Sequence, residues 1–218
     1  SSIADFHQVD ESADIPMHDG YNDVLISKTS AFAAYLEDIS QRADDVRQGR
    51  VSRKNDNMLK ITTDGRKAAL DLRLVDRTAT FTSQSKVARC ARNAADIYFK
   101  NAQSKATQLI FCDTSTPKVG FNIYDELKSN LVKLGIPRTQ IAYIHDAETE
   151  TKRAQLFMKV RNGNIRILIG STFKLGLGVN IQDKLIALHH IDVPWRPADV
   201  GRILRTFKIK KNVEVTDN

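Results

Sequence analysis

The stretch Ile165-Arg166-Ile167-Leu168-Ile169-Gly170-Ser171-Thr172 constrains this chain most, together with the run from Phe173 to Gln182 that follows it. It opens as a short, nearly all-aliphatic segment of β-branched and Leu residues, the pattern of a strand buried on both faces of a parallel sheet. It then breaks into Gly-Ser-Thr and a Gly-Leu-Gly-Val-Asn turn. In open α/β sheets ligands bind beyond the carboxyl ends of the strands, so a polar, glycine-bearing loop there is where chemistry is expected. Hydroxyls and backbone N–H groups in such a loop can hold phosphate oxygens, and glycine lets the backbone approach closely. A lone Gly-x-Gly carries little weight, so the flanking pattern has to decide.

From Gln108 onward short apolar runs alternate with helical patterns. Strands are expected at Leu109 to Cys112, Ile141 to Ile144, Ile165 to Ile169, Leu185 to Leu188 and Val213 to Val215. Helices are expected over 121–134, closed by Gly135, and over 149–161, stopped by Asn162-Gly163, with a further helix start after Pro197. Such interleaving implies an α/β fold with a parallel sheet and right-handed crossovers.

The first half reads differently. Residues 1–22 are acidic and irregular. Lys28-Thr29-Ser30 starts a helix carrying Phe32, Tyr35, Leu36 and Ile39 at helical spacing, ending near Gln48-Gly49. Met58, Leu59 and Ile61 precede a second short helix that begins around Asp64-Gly65-Arg66-Lys67 and reaches Leu74. A hydroxyl-rich connector, 78–85, leads to a third helix with Val87, Cys90, Ala91, Ala94, Ile97 and Tyr98 inward. Lys86, Arg89, Arg92 and Lys100 fall on its wet side and read as a solvated face rather than a nucleic-acid contact. The chain thus divides into an arm (1–22), a helical segment (23–104) and an α/β lobe (105–218).

Composition narrows the function classes. Lys and Arg (33) exceed Asp and Glu (26), and the net charge of +7 mildly favours a polyanionic partner. No apolar run reaches the length of a membrane span, and Ser1-Ser2 begins no secretory signal. Cys90 and Cys112 form no CxxC site, and the histidines form no HExxH cluster, so no metal site is expected. A reducing, cytoplasmic setting is the default.

Four polar clusters directly follow expected strands: Asp113-Thr114-Ser115-Thr116, His145-Asp146-Ala147, Gly170-Ser171-Thr172, and Asp192-Val193-Pro194-Trp195-Arg196-Pro197. In a parallel sheet they converge on one edge. Gly201-Arg202-Ile203-Leu204-Arg205 places two arginines three apart, on one helix face.

Together these elements resemble the second RecA-like lobe of superfamily two helicases, most closely the Swi/Snf-type double-stranded DNA translocases. Gln108 to Asp113 looks like motif IV. Tyr143-Ile144-His145-Asp146-Ala147, with Arg153 and Phe157 beyond, is similar to the Leu-Asp-Gly segment and its helix. Ser171-Thr172, Gly176-Leu177-Gly178 and Asn180 match motif V. Trp195 and Pro197 fit the Trp-x-Pro ahead of motif VI, and Gly201-Arg202-x-x-Arg205 fits motif VI. The match covers about half of the chain, Gln108 to Arg205, in order. The helical part from about Tyr21 to Asp76 is similar to the segment that links and protrudes from the two lobes of these motors. Its 58–74 stretch looks like a variant of large phage and mobile-element helicases, some of which carry a DNA methylase region.

The resemblance implies roles. Arg205 would be the arginine finger toward the γ-phosphoryl group of ATP, and Arg202 would help position it. Gly176, Gly178 and Asn180 would carry nucleotide occupancy to the DNA grip. Ser171 and Thr172 would bind a phosphate of duplex DNA through hydroxyl and N–H groups, with Asp113, Thr114 and Lys174 beside them and Lys118 a further cation. ATP and Mg²⁺ would be held mainly by the first RecA-like lobe.

Two departures qualify this. The 218 residues contain no GxxxxGK[ST] loop and no Asp-Glu box at a strand end, since Asp125-Glu126 lies inside a helix. The chain is therefore expected not to hydrolyse ATP alone, with a first lobe upstream. Only Ala198-Asp199-Val200 separates Pro197 from Gly201, fewer residues than the family pattern has, and the Gln expected to face the nucleotide has no counterpart. The rival readings are a non-catalytic DNA-binding or scaffold module, and a methyl-donor or dinucleotide enzyme using Gly176-Leu177-Gly178 as its turn. The latter lacks the early glycine turn and acidic partner such sites need.

Overall fold

The computed structural model describes residues 21–175, 181–192 and 214–217. Six strands form one sheet in the order β1-β6-β5-β2-β4-β3, every neighbouring pair parallel. They are β1 Tyr21–Asp23, β2 Thr107–Phe111, β3 Ile141–Tyr143, β4 Ile167–Gly170, β5 Leu185–His190 and β6 Glu214–Asp217. The helices are α1 Ser30–Arg47, α2 Met58–Leu70, α3 Lys86–Lys100, α4 Ile123–Lys133, α5 Glu150–Arg161 and the single turn α6 Thr172–Leu175. This is the expected α/β architecture, with a parallel sheet following a helical segment.

Register places β2 at the centre: Leu109 pairs with Leu168 of β4 on one side and Leu188 of β5 on the other. Both faces of β2 are covered, which is why it reads as an unbroken apolar run. On one face, α3 and α4 pack Val87, Cys90, Ala91, Ala94, Tyr124, Leu127 and Leu131 against Ile110, Ile167 and Ile169. On the other, Leu109, Phe111, Leu168 and Leu188 meet Val160, Ile144 and Leu175. Cys90 and Cys112 are buried thiols that form no disulfide.

Hydroxyl and amide caps set the helix starts. Thr29, Ser85 and Thr149 accept from the N–H groups of Phe32, Ala88 and Lys152, as their sequence positions predict. The second helix differs from expectation at both ends. Asn57 caps it by accepting from Lys60, so Met58, Leu59 and Ile61 lie inside the helix rather than ahead of it. It stops at Leu70, because Asp71 turns extended (φ −159°) and its carboxylate accepts the N–H of Arg73, opening a separate 3₁₀ turn over Leu72–Leu74.

Arg73 then ties the helical segment to the lobe. Its guanidinium bonds Asp71 at 2.7 Å and Glu126 of α4 at 3.2 Å, and lies 4.6 Å from the Phe121 ring centroid. Two further differences concern the sheet. Tyr21–Asp23, read partly as irregular arm, forms an edge strand pairing with β6. β5 extends through His189 and His190, read from sequence as following the strand. His189 is accommodated because its Nε2 meets Gln108 Oε1 at 2.8 Å, while Gln108 donates to the Ala94 carbonyl. His190 stacks on Phe111, with ring centroids 4.8 Å apart. Burial pushes their pKa values down to about 3 and about 4, so both rings are neutral.

Candidate functional site

Because all strands run the same way, the loops after β2, β3, β4 and β5 emerge at one edge. Three carboxylate bonds hold these loops together. Asp192, following β5, accepts the N–H groups of Asp113 (2.9 Å) and Thr114 (2.6 Å), which follow β2. Asp113 in turn accepts the N–H of Thr172, after β4, at 2.7 Å. Residues 59 and 79 positions apart are thereby fixed within one bond of each other.

Gly170 allows the last of these turns. A Cβ there would lie 2.5 Å from Leu175 and 2.7 Å from Ile144, so only glycine lets α6 fold back on the strand end. Ser171 Oγ then accepts the N–H of Lys174 at 3.3 Å. The 3₁₀ turn Ile144–Asp146 lies against β4 and α6, so Asp146 shares the edge with Thr172. His145 packs edge-on against Tyr124, with ring centroids 5.2 Å apart. Burial lowers the His145 pKa, and the nearby Lys174 ammonium lowers it further.

The edge carries both signs of charge. Burial raises the Asp192 pKa above the usual carboxylate range, against the pull of the Thr114 and Asp113 bonds. Lys86, at the start of α3, has its ammonium pKa lowered by burial and partly restored by Asp192. The two share a cavity of about 110 Å³ with Arg66, Ala69, Leu70 and Thr114. Lys86 is therefore not on the wet side of its helix, whereas Arg89 and Lys100 are exposed. A lysine directly after a Ser cap sits where the helix meets the sheet edge, which helical periodicity alone does not reveal.

Of the residues singled out by sequence, Asp113, Thr114, Ser171, Thr172 and Lys174 are brought together here. The Thr172 N–H, expected to face a phosphate, is already donated to Asp113. Ser171 and Thr172 are buried, while Lys174 is half-buried and Lys118 is exposed on the loop before α4. Gly176, Gly178, Asn180, Trp195, Pro197, Arg202 and Arg205 lie outside the described residues. Asp192 as the organising clamp is the feature that sequence reading passed over. Its signal was an acidic residue at the end of an apolar strand.

Among the described residues no group of three or more His, Cys, Asp or Glu side chains could hold a metal ion. Likewise, no helix among them is long and apolar enough to cross a membrane.

Solved structures share this fold. The C-terminal part of the Fun30 ATPase domain aligns over 93% of this chain and 84% of its own, with a TM-score of 0.59 at 15% identity. The fold is a RecA-like lobe similar to the C-terminal domain of SWI2/SNF2 ATPases. The Sulfolobus solfataricus SWI2/SNF2 ATPase C-terminal domain aligns over 90% of this chain and 77% of its own, with a TM-score of 0.58 at 16% identity. The Sulfolobus solfataricus core domain matches over the same 90% of this chain (TM-score 0.57, 16% identity), which corresponds to only 38% of that structure. No family model and no curated protein matches the chain. The RecA-like lobe thus spans well under half of the larger ATPase core it resembles.

Proposed function

We propose that this chain is the second lobe of an ATP-dependent translocase or helicase acting on duplex DNA. Convergence of the β2, β4 and β5 loops on one edge, clamped through Asp192, Asp113 and Thr172, is the observation that carries this reading. An edge built that way suits closure over a nucleotide held by the first lobe. Arg205 is assigned as the arginine finger, with Arg202 positioning it and Gly176, Gly178 and Asn180 linking the nucleotide to the DNA grip. Half-buried Lys174, with the buried Ser171 and Thr172 beside it, is assigned to a phosphate contact that reads no sequence.

Mg²⁺ fits poorly on this lobe itself. The Asp113 and Asp192 carboxylates already accept backbone N–H bonds, so the metal and most of the ATP phosphates belong to the other lobe. What this chain supplies is fixed positive charge, which stabilises the transferring phosphoryl group without a proton transfer. The methylase-fused context remains a proposal resting on the 58–74 stretch alone.

The test pairs this chain with a nucleotide-holding first lobe and measures DNA-stimulated ATP hydrolysis. Arg205→Ala should lower the rate by on the order of 10³-fold or more. An unchanged rate removes the finger assignment.

A further inference from the structure

The α1–α2 hairpin ends in a basic tip that the functional edge does not use. Between Arg47 and Lys60 the chain carries Arg47, Arg50, Arg53, Lys54 and Lys60 against a single acid, Asp56. That acid is spent inside the hairpin. Arg42 of α1 grips Asp56 at 2.7 Å and Asp64 of α2 at 3.0 Å, which locks the two helices together and withdraws both carboxylates from the tip. Arg47 and Arg50 lie at the rim and pair with Asp44 and Asp45, in largely exposed contacts that solvent screens. Arg53, Lys54 and Lys60 are exposed, and among the described residues none of them forms a carboxylate ion pair; the Lys60 ammonium donates to the Asn55 carbonyl at 3.1 Å and acts on Asp56 only through space.

The tip is also held away from the lobe. Ala68 and Leu70, at the far end of α2, are buried, and Arg73 just beyond is pinned to Glu126. At 1.5 Å per residue, α2 carries the tip about 20 Å from that anchor. Two packed helices present an end about 20 Å across, and duplex DNA carries one negative charge per about 1.7 Å of axis, so the tip faces several phosphates at once. A cluster of cations that outnumbers its local acids attracts a polyanion.

We infer that the α1–α2 tip, through Arg53, Lys54 and Lys60, is a second contact for the phosphate backbone of duplex nucleic acid, separate from the sheet-edge loops. This rests on the reading that the chain binds duplex, and it adds a grip remote from the nucleotide side. The contact carries no sequence information, because phosphates are the same at every step.

The test uses the 218-residue chain and a fluorescein-labelled duplex of about 30 base pairs, with anisotropy followed against salt. The variant Arg53→Gln/Lys54→Gln/Lys60→Gln removes the charges but keeps unbranched polar side chains, and a circular dichroism melt confirms that it folds. A control, Lys100→Gln/Lys133→Gln/Arg138→Gln, removes the same charge from other exposed positions. The tip variant should bind at least tenfold more weakly at about 0.1 M salt, with the slope of log K against log salt shallower by about 2 to 3. The control should stay within about twofold.

Equal losses in tip and control variants, or no loss at the tip, overturn the inference. So does transfer of the effect to polyglutamate, which would mark an acidic protein partner, or failure of the unaltered chain to bind duplex. Lys174→Gln separates the two surfaces. If it weakens binding while the tip variant does not, the sheet-edge reading stands and the tip falls; the reverse outcome keeps the tip and removes the edge contact.

Discussion

At the amino ends of the strands, Arg166 donates to the carbonyls of Ala106 (3.0 Å), Tyr98 (2.8 Å) and Asn101 (3.0 Å), with its guanidinium 3.8 Å from the Tyr98 ring centroid. At the carboxyl ends, Asp192 and Asp113 accept N–H groups from three residues on two other loops. Both ends face the same need, to satisfy loop backbone groups that no ladder reaches. The cation serves where carbonyls protrude, and the anions where N–H groups do. Arg166 is almost wholly buried, whereas Asp113 and Asp192 keep partial exposure. One end is a staple. The other is a set of joints beside solvent, where a ligand or a second lobe can reach them.

Arg166→Met tests the staple and should have the largest effect. It leaves three carbonyls without their donor, and unfolding in urea should show a loss on the order of 3 kcal/mol or more. A loss below about 1 kcal/mol would mean that water replaces the guanidinium and that the two ends differ less than described.

At the opposite end, Asp113→Ala removes a single charged acceptor from the Thr172 N–H. A cost of about 1 to 2 kcal/mol is expected, largely recovered by Asp113→Asn, which keeps an acceptor oxygen. Comparing the two variants by urea unfolding separates the hydrogen bond from the charge.

The smallest effect concerns Asp192 and its pH dependence. Its folded pKa is raised above the unfolded value, so its favourable contribution is complete below the ordinary carboxylate pKa and is lost as pH rises through the folded one. Asp192→Asn is neutral throughout. Relative to the unaltered chain it should therefore gain stability as pH rises through the ordinary carboxylate range, and level off once the folded carboxyl has ionised. Paired urea midpoints measure this, and a variant that loses stability relative to the unaltered chain as pH rises would reverse the assignment.

Much of the lobe was legible in the residues themselves. Runs of four or five largely apolar residues marked β2 to β5, and Thr29 and Thr149 marked helix starts, because burial on both faces and capping chemistry are written locally. Gly49, Gly135 and Gly163 adopt positive φ where helices were expected to end. Legibility failed where a local signal competed with a distant partner. Leu72 to Leu74 continued an apolar pattern, yet Asp71 broke the helix so that Arg73 could reach Glu126. His189 and His190 fell beyond the expected Leu185–Leu188 strand, and join it through contacts with Gln108 and Phe111 on the neighbouring strand.

Taken alone, the sequence determined most strands and helices of the lobe, that their alternation makes a parallel sheet, and that polar loops follow the carboxyl ends of its strands. Periodicity and caps act over a few residues, within reach of the chain's own neighbours. Tertiary structure alone decided the strand order, the burial of Lys86 beside Asp192, and the pairing of Asp113 with Thr172. Those depend on which segments pack side by side, because a buried charge is tolerated only where a partner from a distant part of the chain arrives to meet it.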